Sequence, residues 1–304
     1  MYNISICIPT YKRLLMLEKL IISITKCNLD RSLIKDINII IVDNDAERSA
    51  EKKVEELSML QKKNIYKLQY HTYPIKGLSN VRNELIRNAL LLNPDFIVFV
   101  DDDEYVTAEW LNELIKTLLN NKADMVSGPV LPMFNHKVSK YISCWFVRPN
   151  YQNNHKISSI ASGNLMINVK SLKKFGVWFD SRFNKTGSED SYFGKQMIQK
   201  GATAYWSEKA VAYENIPEKR TNLKWLIQRW YRGSMSYTYI LNLENEYFNI
   251  VQKIISNFFY IIFGIFALII ILFPIKKKYW GVLKITEGVG GLIGFFNIIY
   301  EEYK

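Results

Sequence analysis

The chain has 304 residues, enough for one large domain with an appendage or for two domains. Hydrophobic residues make up 48% and charged residues 23%, a balance that excludes a disordered chain. The formal net charge of +11 would draw nucleic acid, an anionic membrane surface or a phosphate-rich substrate, and does not choose among them.

The first nine residues read as a strand, without the basic leader and long apolar run of a signal peptide. Ile4 to Ile8 is apolar and stops at Pro9; residues 12–27 carry Leu and Ile at helical spacing. Ile37 to Val42 is apolar apart from Asn38 and does not alternate, the pattern of a strand buried on both faces. Residues 47–63 read as a charged surface helix, Ile65 to Tyr70 as a strand, 79–92 as a helix and Phe96 to Val100 as an apolar strand. This β-α-β-α rhythm predicts an α/β fold with a mostly parallel sheet covered by helices on both faces. Ligands of such sheets bind beyond the carboxyl ends of the strands. Those ends carry Thr10–Tyr11–Lys12–Arg13, Asp43–Asn44–Asp45 and Asp101–Asp102–Asp103–Glu104.

Four consecutive carboxylates repel one another and raise one another's pKa. A divalent cation, Mn²⁺ or Mg²⁺, relieves that repulsion and also takes phosphate oxygens. The competing reading of 101–104 is a solvated turn whose acids cap a helix over 107–121. For Asp43 and Asp45, plain turn chemistry competes with a functional role.

Further along, Ala161–Ser162–Gly163–Asn164 precedes an apolar strand, Leu165 to Ile167. Its small residues would let a ligand approach the backbone, or simply make a turn. Ser188 would cap a helix running to Lys200, with Gly201 ending it in the left-handed conformation. In its first turn Glu189 and Asp190 either serve chemistry or only complement the helix dipole. Trp145 and Trp178 are candidates for stacking on a ligand's rings or for the core. The three cysteines, Cys7, Cys27 and Cys144, and the histidines His71, His136 and His155 lack metal-site spacing; the cysteines fit a reducing compartment.

In the last third, Leu223, Leu226, Ile227, Trp230 and Tyr231 share one helical face and Lys224, Gln228, Arg229 and Arg232 the other. That is the pattern of a helix in a membrane interface, or of one packed on the catalytic domain. Phe258 to Phe273 has no charge and would be about 24 Å long, short of a roughly 30 Å hydrocarbon core. Lys276–Lys277–Lys278 follows it, and 282–300 makes a poor second span. One complete crossing from the cytosol would put the lysines outside, against the positive-inside rule. A re-entrant or in-plane hairpin is therefore expected over a two-span hairpin or a buried soluble helix.

Five segments taken together resemble glycosyltransferase family 2, the inverting enzymes with the GT-A fold. They are Ile8 to Arg13, Val42 to Asp45, Gly77–Leu78–Ser79–Asn80–Val81–Arg82–Asn83, Phe99 to Glu104 and Gly187–Ser188–Glu189–Asp190. Their order across residues 4–200 makes the match specific, and the last two are most similar to members that build bacterial exopolysaccharide and O-antigen units. Val81 replaces the usual small residue before Arg82, a change in packing rather than in polar contact. Arg229–Trp230 and Arg232–Gly233 resemble the family's segment near the acceptor.

The resemblance implies a nucleotide-diphosphate sugar donor, a UDP-sugar by first expectation, and a lipid-linked or glycan acceptor at the cytoplasmic face of the cell membrane. It marks Thr10, Tyr11, Arg13, Asp43, Asp45, Gly77, Arg82, Asp101 and Asp102 as the nucleotide-sugar set. Asp103 and Asp101 would hold the metal, Asp190, with Glu189 beside it, would provide the general base, and Arg229, Trp230 and Arg232 would lie near the acceptor or the membrane. The domains implied are a catalytic one over 1–215, an amphipathic helical region over 216–250 and a hydrophobic hairpin over 251–304. Rival readings are a nucleotidyltransferase, which would want a glycine-rich loop where residues 9–16 have no glycine, and a non-catalytic membrane scaffold. A nucleic-acid partner is not expected, because the strand ends are acidic.

Overall fold

The computed structural model describes residues 1–60, 65–270, 279–298 and 300–301. The expected Lys276–Lys277–Lys278 surface and the end of the Phe258–Phe273 stretch lie outside the described residues. Ten strands and ten α-helices alternate along them. In chain order they are β1 (Tyr2–Thr10), α1 (Leu14–Thr25), β2 (Ile34–Asp43), α2 (Glu51–Leu60), β3 (Tyr66–Thr72), α3 (Leu78–Leu91), β4 (Phe96–Val100), β5 (Glu104–Val106), α4 (Trp110–Asn120) and β6 (Met125–Ser127). There follow β7 (Val130–Met133), α5 (Lys140–Ser143), β8 (Asn164–Asn168), α6 (Val169–Phe175), α7 (Glu189–Gln199), β9 (Ala204–Trp206), β10 (Ala212–Asn215), α8 (Leu223–Leu243), α9 (Tyr247–Ile270) and α10 (Trp280–Phe295).

The chain forms two compact units. The larger comprises Met1–Leu131, Arg148–Asn184 and Glu189–Glu214. Its seven-stranded sheet has the order β3-β2-β1-β4-β8-β6-β9; β1, β2, β3 and β4 are mutually parallel, and β8 runs antiparallel to β4 and β6. The continuous apolar runs are explained by burial on both faces. Along β1 and β2, Ile4, Ile6, Ile8, Ile37, Ile39 and Ile41 point to one side, where α1 and α4 pack with Leu17, Leu20, Trp110 and Leu114. Cys7, Ile40 and Val42 point to the other, against Val81, Leu85 and Ile86 of α3 and Phe193 and Met197 of α7. Each fully buried aliphatic side chain contributes roughly 1.5–3 kcal/mol of transfer free energy. A three-stranded sheet, β5-β10-β7, sits beside the acidic segment that follows β4. The three cysteines are free, and Cys7 is buried.

The smaller unit comprises Pro132–Val147, Lys185–Ser188 and Asn215–Lys304. Leu226 on α8 is buried with Ile142, Phe146, Ile216 and Leu283, and Leu223, Trp225, Ile227 and Trp230 pack around them. This corrects one expectation: the apolar side of the 223–232 helix is covered by the protein's own side chains and does not lie open as a membrane-facing surface. Its charged side is not simply solvated either. Arg229 lies over the rings of Trp225 and Phe146, 5.2 and 5.8 Å from their centroids. The apolar surface is instead on α9, where Tyr247–Leu268 is long and apolar enough to cross a membrane and is mostly exposed.

Candidate active site

The parallel register of the sheet brings the polar segments together. Thr10 pairs with Asp43 across β1 and β2, and Cys7 pairs with Phe99 across β1 and β4. Three residues further along each chain, the Thr10 hydroxyl reaches Asp102 and donates to its Oδ2 at 2.8 Å. Arg13 donates from the same nitrogen to Asp102 Oδ1 at 2.8 Å and to Asp103 Oδ2 at 2.9 Å. The opening loop thus neutralises part of the acid cluster, and Tyr11 projects outward, 43% exposed, with the Lys12 ammonium 5.5 Å from its ring centroid.

Asp43 and Asp45 are both buried and differ in how fully their carboxylates are engaged. Asp43 is fully buried: Oδ1 accepts the Asp45 N–H at 3.0 Å, and Oδ2 accepts the Ala50 N–H and the Tyr70 hydroxyl, both at 2.9 Å. Its carboxylate is committed to shaping the turn. Asp45 takes the Glu47 N–H on Oδ1, with Lys12 Nζ 3.6 Å away, while its buried Oδ2 has no hydrogen-bond partner among the described residues.

Gly77 precedes α3 with φ 145°, in the region that favours glycine, and a Cβ there would collide with the Asn184 side chain. Asn184 in turn accepts the Asn80 N–H at 3.1 Å, pinning the start of the helix. One turn on, Arg82 is 3% exposed. Its Nη1 pairs with Glu189 Oε1 and its Nη2 with Asp101 Oδ1 at 3.0 Å. Arg82 and Glu189 are therefore interior partners that join the acidic loop to the first turn of α7.

Asp190 is half-buried; its Oδ2 accepts the Ser162 N–H at 3.2 Å, and its Oδ1 accepts the Ser191 N–H at 2.7 Å. The helix begins on Glu189, and Ser188 has φ 69° rather than the extended conformation of a capping residue, which corrects the expected cap. Gly201, with φ 96°, does follow the helix in a conformation suited to glycine, and the Ala202 N–H closes onto the Met197 carbonyl at 3.0 Å.

Asp102, Asp103 and Glu104 are nearly enclosed. Burial raises the pKa of each, and the neighbouring acids Asp101 and, for Asp103 and Glu104, Glu214 raise it further; the Arg13 guanidinium opposes this at Asp102 and Asp103. Asp103 is pushed up to about 7. Glu104 Oε2 accepts the Asp101 N–H at 3.3 Å, and a Cβ on Gly163 would fall 2.5 Å from Glu104 Oε1. The small residue at 163 thus makes room for the acidic loop. Asn164 serves the scaffold: it accepts from Trp110 Nε1 at 2.8 Å and donates to the carbonyls of Ala210 and Pro129 at 2.7 and 3.2 Å. Trp178 is 43% exposed and lies beneath Arg87, whereas Trp145 packs edge-on against Trp230.

Two acid-site residues escaped the sequence reading. Glu214 pairs directly across from Glu104 on the antiparallel β10–β5 ladder and is held by an ion pair with Arg148. The Ala212–Asn215 strand is too short for a periodicity signal. Arg229, Trp230 and Arg232 belong to the smaller unit.

Among the described residues, no three His, Cys, Asp or Glu side chains are arranged to hold a metal ion by themselves. The donor set nevertheless fits a hard cation. It is all carboxylate oxygen, and mutual repulsion among buried acids is the condition a cation relieves. Partial protein ligation is usual for Mg²⁺-type sites completed by phosphate oxygens.

The mostly parallel sheet, with acidic residues gathered beyond its carboxyl edge, defines a glycosyltransferase architecture of the GT-A type, and the comparisons agree. The model of "Glycosyl transferase family 2" matches residues 5–176 and that of "Glycosyl transferase family group 2" matches residues 96–287. The chain belongs to glycosyl transferase family 2. It is 28% identical over 211 residues to the succinoglycan biosynthesis protein ExoM of Rhizobium meliloti strain 1021, covering 67% of this chain and 65% of that protein. The chain thus spans just under two thirds of that curated relative's length. Among solved structures it resembles the mannosyltransferase PcManGT of Pyrobaculum calidifontis, in complex with GDP-Man and Mn²⁺, with a TM-score of 0.68 and 11% identity over 97% of this chain and 88% of that one. It also resembles S. aureus TarS 1-349 in complex with UDP-GlcNAc, with a TM-score of 0.57 and 16% identity over 79% of this chain and 66% of that one.

Proposed function

We propose that the chain is an inverting glycosyltransferase, moving a sugar from a nucleotide-diphosphate donor to a lipid-linked or glycan acceptor in cell-surface polysaccharide synthesis. The observation that carries this reading is the fork of Arg82. It joins Asp101, next to the acidic loop, to Glu189, next to Asp190, so two acidic motifs about ninety residues apart in sequence act on one cleft.

Two barriers oppose the transfer: negative charge builds on the leaving diphosphate, and the acceptor hydroxyl must lose a proton. A divalent cation, Mn²⁺ or Mg²⁺, held by Asp103 and Asp101, would supply charge neutralisation at the diphosphate. Arg13, held at the acid cluster by Asp102 and Asp103, adds positive charge at the same edge. Asp45 is less committed to the turn than Asp43, since its Oδ2 has no partner within hydrogen-bonding distance among the described residues, and it is the one of the two assigned here to accept from the donor. Asp190 acts as general base: its carboxylate is oriented by two backbone N–H groups and sits in the first turn of α7. Attack assisted from the face opposite the leaving group inverts the anomeric centre.

A UDP-sugar is the first donor to test. The relative that takes part in succinoglycan biosynthesis supports the polysaccharide reading, and exposed apolar α9 supports work at the cytoplasmic face of a membrane. Purified protein incubated with a panel of UDP-, GDP- and TDP-sugars should slowly hydrolyse one donor in the presence of Mn²⁺ and not in EDTA. No turnover of any donor, with or without metal, would favour a non-catalytic scaffold instead.

A further inference from the structure

Three helices of the smaller unit are locked in register by glycines. On α10, Gly281 packs on the Gly264 carbonyl of α9, and Gly288 and Gly291 pack on Asn257, so α9 and α10 run antiparallel. On its other side, Gly290 and Gly294 pack on the carbonyls of Tyr231 and Met235, so α8 and α10 run parallel. Any Cβ at these positions would strike backbone or a buried side chain, which fixes the levels of the three helices. Tyr231 lies level with Asn257, near the middle of α9. Arg229 and Arg232 flank that level.

The face of α9 turned away from α10 carries Phe248, Val251, Ile255, Phe259, Ile262 and Phe266, a single stripe at helical spacing, each between 51% and 74% exposed. The stripe is about 27 Å long. We propose that α9 lies in the plane of a membrane with this stripe in the acyl layer of one anionic leaflet, and does not cross. The inference rests on the membrane-associated reading above and decides its geometry.

A crossing α9 would put its midpoint at the bilayer centre. The glycine contacts would then carry Arg229 and Arg232 of α8 to the same depth, together with the Lys284–Glu287 pair at 2.7 Å and Lys253 beside it. Charges at that depth are heavily penalised. In-plane, the same charges stay at headgroup level while the stripe is buried, the arrangement of a monotopic amphipathic element. Residues 215–304 hold eleven Lys and Arg against six Asp and Glu, which selects a negatively charged surface over a neutral one.

The test uses full-length protein with Cys144→Ser, carrying Phe248→Cys, Phe259→Cys or Phe266→Cys one at a time with an environment-sensitive fluorophore. Vesicles of phosphatidylcholine, with and without phosphatidylglycerol, contain lipids spin-labelled at shallow or deep acyl positions. The in-plane arrangement gives strongest quenching of all three sites by the same shallow label, and binding that rises severalfold with phosphatidylglycerol. Deep quenching at Phe259 with shallow quenching at both ends overturns it in favour of crossing, leaving membrane association intact. Equal binding to both vesicle types overturns the anionic leaflet. Binding to neither, with self-association in light scattering, makes the stripe a protein interface and removes the membrane reading as well. Donor hydrolysis on the same samples reports separately on the transferase reading.

Discussion

Arg82 divides its guanidinium between Glu189 and Asp101, two carboxylates about ninety residues apart in sequence, while remaining 3% exposed. Arg82, expected to touch the nucleoside, also ties the acidic loop to the first turn of α7. A planar fork can grip two acids at once; a lysine ammonium, a point charge, grips them with less geometric definition.

Removing one partner of a buried pair leaves the other charge uncompensated, at about 3–5 kcal/mol. In Glu189→Gln the Arg82 guanidinium keeps Asp101, so unfolding stability should fall by less than that, about 1–3 kcal/mol, measured by urea titration. Arg82→Lys should keep the fold but lower kcat roughly 10–100-fold with a smaller change in donor KM, because it disturbs geometry rather than donor contact. A change confined to KM would return Arg82 to the donor-binding set.

Asp103 gives the pH dependence of the metal-free protein. Its carboxyl is pushed up to about 7 from an ordinary value of 3.8. Between those values the folded state keeps a proton that the unfolded state has lost. Stability therefore falls as pH rises from about 4 to about 7 and is flat beyond. Asp102 and Glu104 shift in the same direction. Urea midpoints in EDTA should be higher at pH 5 than at pH 8, and Mn²⁺ with nucleotide diphosphate should narrow the gap by raising stability at pH 8. Identical midpoints at both pH values would contradict the crowded-acid picture.

Asn164 tests the scaffold without touching the chemistry. It is 1% exposed and satisfies Trp110 Nε1 and two backbone carbonyls. Asn164→Ala strands Trp110 Nε1 and the Ala210 carbonyl, while the Pro129 carbonyl keeps the Ala212 N–H, and it leaves a small void, so a loss of about 2–4 kcal/mol is expected. Asn164→Asp loses the two donated bonds and adds a buried charge, and should be worse than alanine at pH 8. Thermal melts of the three proteins give the order.

The parallel core was legible because its strands are buried on both faces: Ile37 to Val42 is apolar apart from Asn38, and β2 extends that run by only a few residues to Ile34 and Asp43. The acidic loop was legible for the same reason, since Asp101 follows an unbroken apolar strand. Division of labour among the acids was not legible. Asp43 and Asp45 look alike in sequence, and only the positions of Tyr70 and Ala50 show that Asp43 is consumed by the turn. Short strands such as Ala212–Asn215 carry too few residues for any period, so Glu214 and its neighbours had no signal. The amphipathic pattern at 223–232 was real, but periodicity identifies an apolar face without saying what covers it. Here protein covers α8, and the open apolar face belongs to α9.

The base assignment rests on Asp190, and its surroundings state what a substitution should do. One oxygen takes the Ser162 N–H and the other the Ser191 N–H, so the carboxylate is aimed by backbone groups that an amide oxygen can still engage. Asp190→Asn keeps the shape and one good acceptor but cannot take a proton. Transfer to acceptor should fall roughly 10²–10⁴-fold in kcat. Donor KM should stay within a few-fold, because neither the acidic loop nor Arg13 contacts this side chain directly. The Arg82 tie also remains, since it acts through Glu189. Steady-state kinetics with the donor identified by the hydrolysis screen separates the two parameters. A variant that loses donor binding while its residual turnover is unaffected would place Asp190 among the donor contacts and leave the deprotonation step without its carboxylate.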